Sequence, residues 1–153
     1  MITAIDPGLN GGVAWICEDG ITSTFPMPKT DGDLLSLILR NKFDARKEFI
    51  IYLEDVPYFT GGAFIAPMAK LQRQCGIAQG MCQALGARLV LVTPQKWQKA
   101  LWLGAKKSYP GSKWKNHLKQ RAQQLYPNLD VTLKTADALL ILEYARMVEG
   151  AKQ

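Results

Sequence analysis

The chain has 153 residues, 48% of them hydrophobic, which suits one domain with a packed core and excludes a disordered tail. No apolar run approaches the ~20 residues of a membrane span, and the first residues have a strand pattern rather than a basic and apolar secretory leader. The net charge is +6 but unevenly spread: positions 1–55 hold nine acids against five bases, whereas Val56 to Leu129 holds eleven lysines and arginines and no acid. An acid-free half is what a polyanion-binding surface requires, so nucleic acid is the expected partner, with an ordinary solvated basic face as the alternative. Cys17, Cys75 and Cys82 cannot all pair and lack zinc-ligand spacing, so reduced thiols in a cytoplasmic compartment are expected.

Residues 1–6, about 12–17 and about 21–25 are predicted strands, with a glycine-rich turn after Asp6 and a second turn at Glu18-Asp19-Gly20. Pro26-Met27-Pro28 breaks the pattern, and Thr30 or Asp31 caps a predicted helix over roughly 32–42 with Leu34, Leu35, Ile38 and Leu39 on one side. Residues 49–54 form an apolar strand of the buried kind, followed by a loop over 57–62. A long helix is predicted over roughly 63–86, because Phe64, Met68, Leu71, Cys75, Ala78, Cys82 and Leu85 step by four and three. Gly76 and Gly80 on that helix are expected to admit another backbone inside the fold rather than at a dimer contact.

Residues 88–92 are a strand, and Pro94 starts a short helix over 95–101. A loop rich in glycine and lysine spans 103–112, and a helix over 113–126 places Trp114, Leu118, Ala122 and Leu125 inward before Pro127 stops it. The last helix, 135–148, is apolar around most of its circumference and therefore lies against the sheet. Three consecutive strands, then alternating helices and strands, give an α/β layer fold with a mixed sheet covered by helices. No repeat or long linker divides it, so 1–153 reads as a single domain.

Three acids stand at informative places: Asp6 where the first strand gives way to a loop, Glu54 at the end of a buried strand, and Asp137 inside an apolar helix. A phosphodiester nuclease needs two or three carboxylates to hold hard cations that clamp attacking water and leaving oxygen. Burying an ionised carboxylate without a partner costs several kcal/mol, which makes Asp137 the most telling of the three. Each has a plainer use as well. Asp6 is also a turn former before Pro7-Gly8, Asp55 competes with Glu54, and Asp137 suits a first helical turn through the helix dipole.

The ordered set Ile5-Asp6-Pro7-Gly8, Gly12-Val13-Ala14, Leu53-Glu54, Leu71 to Gly80 and Thr135-Ala136-Asp137-Ala138 resembles RuvC, the Holliday junction resolvase family, over nearly the whole chain. That resemblance implies a ribonuclease H-like fold, with a mixed five-stranded sheet of three antiparallel N-terminal strands and then parallel ones, flanked by helices. It also implies a homodimer that nicks four-way DNA junctions in recombination and repair, using Mg²⁺ or Mn²⁺, in a bacterial, phage-encoded or organellar setting. Asp6, Glu54 and Asp137 match three acidic catalytic and metal-holding positions of the family. The fourth position is Lys134, where the family has aspartate or histidine; one turn from Asp137, it is expected to face the same way, and it would orient water, neutralise the phosphate or point outward.

Tyr58 or Phe59 lies near the family's base-contacting aromatic, and Lys113 resembles a lysine of its basic segment. Lys96, Lys99, Lys106, Lys107 and Lys115 are assigned to DNA phosphates from charge alone. Trp97, Trp102 and Trp114 are expected in the core, and His117, the one histidine, is expected to be structural. The alternatives are a YqgF-like RNA-processing nuclease and a junction-binding protein weakened in catalysis, the latter motivated by Lys134. A sugar-kinase-like phosphate loop would use Asp6-Pro7-Gly8 with Gly11-Gly12, but one short domain lacks the second lobe.

Overall fold

The computed structural model describes residues 1–46, 48–56 and 65–151, with the backbone alone at Ile65. Strands β1 (Ile2–Asp6), β2 (Gly12–Ile16) and β3 (Thr22–Pro26) form an antiparallel meander. Helix α1 (Asp31–Asp44), strand β4 (Ile50–Glu54), helix α2 (Ile65–Ala84) and strand β5 (Arg88–Val92) follow. Helix α3 (Pro94–Ala100), a single 3₁₀ turn (Lys106–Ser108), helix α4 (Lys113–Leu125) and helix α5 (Ala136–Gly150) complete the described chain. The sheet order is β3-β2-β1-β4-β5, with β1 parallel to β4 and β4 parallel to β5, so the expected mixed five-stranded sheet is what forms. Among the described residues no helix is long and apolar enough to cross a membrane.

Side chains alternate across a strand, and that period divides the core into two layers. Ala4, Ala14 and Tyr52 point to the layer of α3, α4 and α5, where Trp97, Trp114, Leu118 and Leu139 pack. Ile5, Val13, Trp15, Ile51 and Leu53 point the other way, onto Leu34 and Ile38 of α1 and Ala78 and Cys82 of α2. The same alternation carries Asp6, two residues after Ala4, and Glu54, two after Tyr52, to the α5 side of the sheet. Ala4 and Ala14 face each other across β1 and β2. With only methyl groups there, α5 can lie on the strands, and its residues Ala136 to Leu142 are all buried.

Local signals explain most boundaries. The Thr30 side chain accepts the Asp33 N–H at 3.1 Å and caps α1. Cys75, Ala78 and Cys82 of the predicted stripe are buried beneath α2. Two expectations are overturned. Gly76 and Gly80 are exposed, and an added Cβ at either would meet nothing within 4 Å among the described residues, because both lie off the buried stripe. Trp102 is not in the core: the chain leaves α3 through a left-handed residue at φ +54°, which turns the indole outward and sends Leu103 inward instead.

Gly12 fixes how α5 meets the sheet. A Cβ there would stand 2.7 Å from the Lys134 carbonyl oxygen, 3.0 Å from that of Phe25 and 3.3 Å from the Cα of Thr135, all of it backbone. Gly12→Ala is therefore expected to push away the turn that starts α5 and lower stability by about 1–3 kcal/mol. A urea titration of the purified variant checks this, and a loss under 0.5 kcal/mol would contradict the close approach.

Candidate active site

The parallel pairing of β1 and β4 sets Ile5 beside Leu53, so their next residues, Asp6 and Glu54, leave the sheet side by side. Their side chains are in hydrogen-bond contact with each other. Trp97, wholly buried on α3, donates its Nε1–H to Glu54 Oε1 at 2.9 Å. An indole N–H in a dry interior needs an acceptor, and here the acceptor is a candidate catalytic group whose rotamer it holds. Of the two adjacent acids in β4 and its extension, it is Glu54 that enters the cluster. Gly11 closes the turn over Asp6, where an added Cβ would stand 2.0 Å from the Asp6 carbonyl oxygen.

Asp137 reaches the same place from the first turn of α5. It is 6% exposed and Asp6 is 7% exposed. Its Oδ2 accepts from Lys115 Nζ of α4 at 2.5 Å, while its Oδ1 is buried with no hydrogen-bond partner among the described residues. Lys115 was expected on phosphate, yet its ammonium is turned inward although half of the side chain is exposed. It is the cation around which the three carboxylates are held.

The electrostatics follow from crowding. Burial pushes the Asp6 carboxyl well above the usual carboxylate range, the charges of Glu54 and Asp137 add to this, and Lys115 opposes it. Burial also pushes Glu54 up to about 6; the Trp97 hydrogen bond pulls it back while Asp137 pushes it further. Burial works against the Lys115 charge, but Asp137, Asp6 and Glu54 together outweigh it and hold the ammonium above its ordinary value. Asp6 and Glu54 therefore both hold a proton to higher pH than an ordinary carboxyl does.

All the donors are hard oxygens, and one buried oxygen of Asp137 lacks a partner, so the chemistry of the set fits a small divalent cation. As they stand, however, no three acidic, histidine or cysteine side chains among the described residues are drawn together closely enough to hold one. Asp137 is engaged by Lys115 instead.

Two clefts meet at this cluster. One, of about 870 Å³, is lined by Glu54, Asp137, Lys115, Lys99, Lys106, Gln98 and Trp102, and the other, of about 500 Å³, by Asp6, Lys70, Gln74 and again Lys115. The loop walling the first cleft is anchored by His117, which hydrogen-bonds the Leu103 carbonyl at 2.9 Å and stacks on Tyr109 with ring centroids 4.4 Å apart. The structural role expected of His117 is the one it has.

The remaining candidates divide. Lys99 and Lys106 face the first cleft, whereas Lys96, Lys107 and Lys113 are exposed on the same stretch but do not line it. Lys134 precedes α5, in the turn from Thr132 to Thr135, so the helical spacing to Asp137 does not apply; its side chain is exposed and its N–H donates to Thr132 Oγ1 at 3.3 Å. Tyr58 and Phe59 lie outside the described residues. Sequence reasoning missed Trp97 as a site residue and Lys115 as a partner of Asp137. The demand of a buried indole for an acceptor was the available signal for the first; none existed for the second.

A scan against protein-family models and a search of curated proteins find no match. Among solved structures, the chain is similar to Thermus thermophilus RuvC, with 17% identity, coverage of 96% of each chain and a TM-score of 0.57. It is similar to the same extent to T. thermophilus RuvC in complex with a Holliday junction substrate, with 17% identity, 95% of each chain covered and a TM-score of 0.57. At that identity the likeness establishes the fold, which is RuvC-like and ribonuclease H-like.

The raised carboxyls make stability depend on pH in a definite sense. Folded protein keeps the Glu54 proton up to about pH 6, whereas the unfolded chain releases it near its ordinary 4.5, so stability falls as pH rises through that window. Glu54→Gln removes this penalty and is expected to raise stability at pH 7.5 by about 1–2 kcal/mol while leaving it unchanged below pH 4. Urea titrations at several pH values check it. Lys115→Met should move both Asp6 and Glu54 further up, read by carboxyl NMR.

Proposed function

We propose that this protein is a structure-selective endonuclease that resolves four-way (Holliday) DNA junctions by metal-dependent phosphodiester hydrolysis. The observation that carries the reading is the meeting of Asp6, Glu54 and Asp137 from two strand ends and a helix start, under clefts lined by Lys70, Lys99, Lys106 and Lys115. The RuvC-like fold and the neighbour bound to junction DNA support it.

In this reading Asp6, Glu54 and Asp137 hold Mg²⁺, with Mn²⁺ as a substitute. A divalent cation bound there supplies Lewis-acid polarisation of the phosphate and activation of water for in-line attack. This chain's residues do the rest. Asp6 and Glu54, both raised by burial, would have to be deprotonated to hold the cation. Trp97 keeps Glu54 oriented throughout, and Lys99 and Lys106 hold the phosphates of the strand across the carboxylates. Lys115 exchanges Asp137 for the scissile phosphate, placing a cation where charge develops. Paired nicks need two such sites, and the exposed outer side of α2, open at Gly76 and Gly80, is the surface proposed for a homodimer.

A second reading, a junction-binding protein without catalysis, is favoured by the Lys115–Asp137 pair and by the lack of three assembled ligands among the described residues. Calorimetric titration with Mg²⁺ separates the two, since no heat of binding would favour the second.

Incubation with a labelled four-way junction and Mg²⁺ is expected to give symmetric nicks with 5′-phosphate ends. Asp137→Asn should slow cleavage at least 100-fold, equivalent to about 3 kcal/mol of barrier, while junction binding survives. Retained cleavage would defeat the assignment. Lys99→Gln and Lys106→Gln should each weaken binding and reduce the slope of log affinity against log salt by about one.

A further inference from the structure

Trp102 breaks two rules at once. It exposes 93% of its surface, while Trp15, Trp97 and Trp114 are buried at 8%, 0% and 4%. It is also the one residue other than glycine with a positive φ among the described residues, at +54°. Its N–H donates to the Lys99 carbonyl and that of Leu103 to the Gln98 carbonyl, both at 3.1 Å, which closes the end of α3 in a Schellman motif. The left-handed residue of that motif is normally glycine, which adopts it without strain. At Gly8, Gly20, Gly86, Gly104 and Gly111 the chain does use glycine for positive φ. An indole in this position adds backbone strain and covers almost nothing, so packing does not account for it.

Its location does. Trp102 stands on the rim of the cleft that contains Glu54 and Asp137, in company with Lys99 and Lys106. We propose that Trp102 is a stacking platform for an unpaired nucleobase of the strand lying in this cleft, with Lys99 and Lys106 on the adjoining phosphates. The proposal rests on the nuclease reading above and adds a residue that selects unpaired or branched DNA. An exposed indole face accepts any base, and flanking lysines complement the backbone. The two hydrogen bonds that lock the left-handed turn hold the ring proud of the surface, so little order is lost on stacking. The cleft beside Trp102 mixes Gln95, Gln98, Lys99 and Lys106 with Pro94, Ala105 and Trp114, a lining that suits a base and its phosphates together.

The test uses the full chain and its Trp102→Phe, Trp102→Ala and Trp102→Gly variants. Affinity is measured by fluorescence anisotropy at fixed salt, without divalent cations, for a four-way junction, a single strand and a duplex of equal length. Trp102→Ala and Trp102→Gly are expected to bind the junction and the single strand roughly five- to 100-fold more weakly, with duplex affinity within twofold. Trp102→Phe should retain most of the affinity. Trp102→Gly should melt at or above the wild-type temperature, an outcome a merely structural tryptophan would not give. DNA should also remove the iodide-quenchable part of the wild-type indole emission.

Junction binding that is tight yet within twofold in Trp102→Ala would overturn this proposal alone and leave the nuclease reading standing. Loss of self-association in Trp102→Ala with DNA affinity unchanged would overturn it in favour of a protein contact. Failure of the wild type to bind any of the three DNAs would overturn both readings.

Discussion

Asp6, Glu54 and Asp137 approach one mostly dry region in which their charges oppose one another, and Lys115 counters them. The Lys115 ammonium answers Asp137, and burial raises the carboxyls of Asp6 and Glu54. One unusual local feature serves that balance. Helix α4 opens with Lys113 and Lys115 in its first turn, where the helix dipole favours acids, and no acid stands there. The mismatch is tolerated because Lys115 finds its counter-charge in Asp137, at the start of α5.

Around that cluster the scaffold is stiff. Glu54 ends a strand hydrogen-bonded on both sides, and Trp97 fixes its side chain from a helix anchored in the core. Asp137 rides on the most deeply buried helix of the structure, seated on the paired alanines of β1 and β2 and on Gly12. Such placement on strands and a buried helix, rather than on loops, gives a site that is preorganised and intolerant of small shifts. The clefts beside it are of the opposite kind, bordered by turns and exposed lysines.

What was readable in the sequence was local or periodic. The short apolar runs of β1 and β4 and the four-three stepping of α2 each arise within one element, so their signals survive without knowledge of neighbours. Thr30 and Pro94 likewise announce helix starts through their own chemistry. Asp6, Glu54 and Asp137 stand out for the same reason, since two are acids at the ends of apolar strands and the third lies inside an apolar helix. Trp102 was misjudged because hydrophobicity was taken as burial, while its orientation depends on a left-handed turn that a tryptophan does not announce. Gly76 and Gly80 were misjudged because small residues signal close approach only when something approaches.

The sequence by itself determined the layered α/β architecture, the two apolar faces of its sheet and the acids that edge them. Tertiary structure alone decided that Lys115 turns inward to Asp137, that Trp97 holds Glu54, and that Lys134 stays outside while Trp102 stands at the rim. The physical reason is the range of the forces involved. Backbone propensity and burial periodicity act between residues close in sequence, whereas an ion pair from Lys115 to Asp137 or a bond from Trp97 to Glu54 joins groups 22 and 43 positions apart, and exists only once the core has brought their elements together.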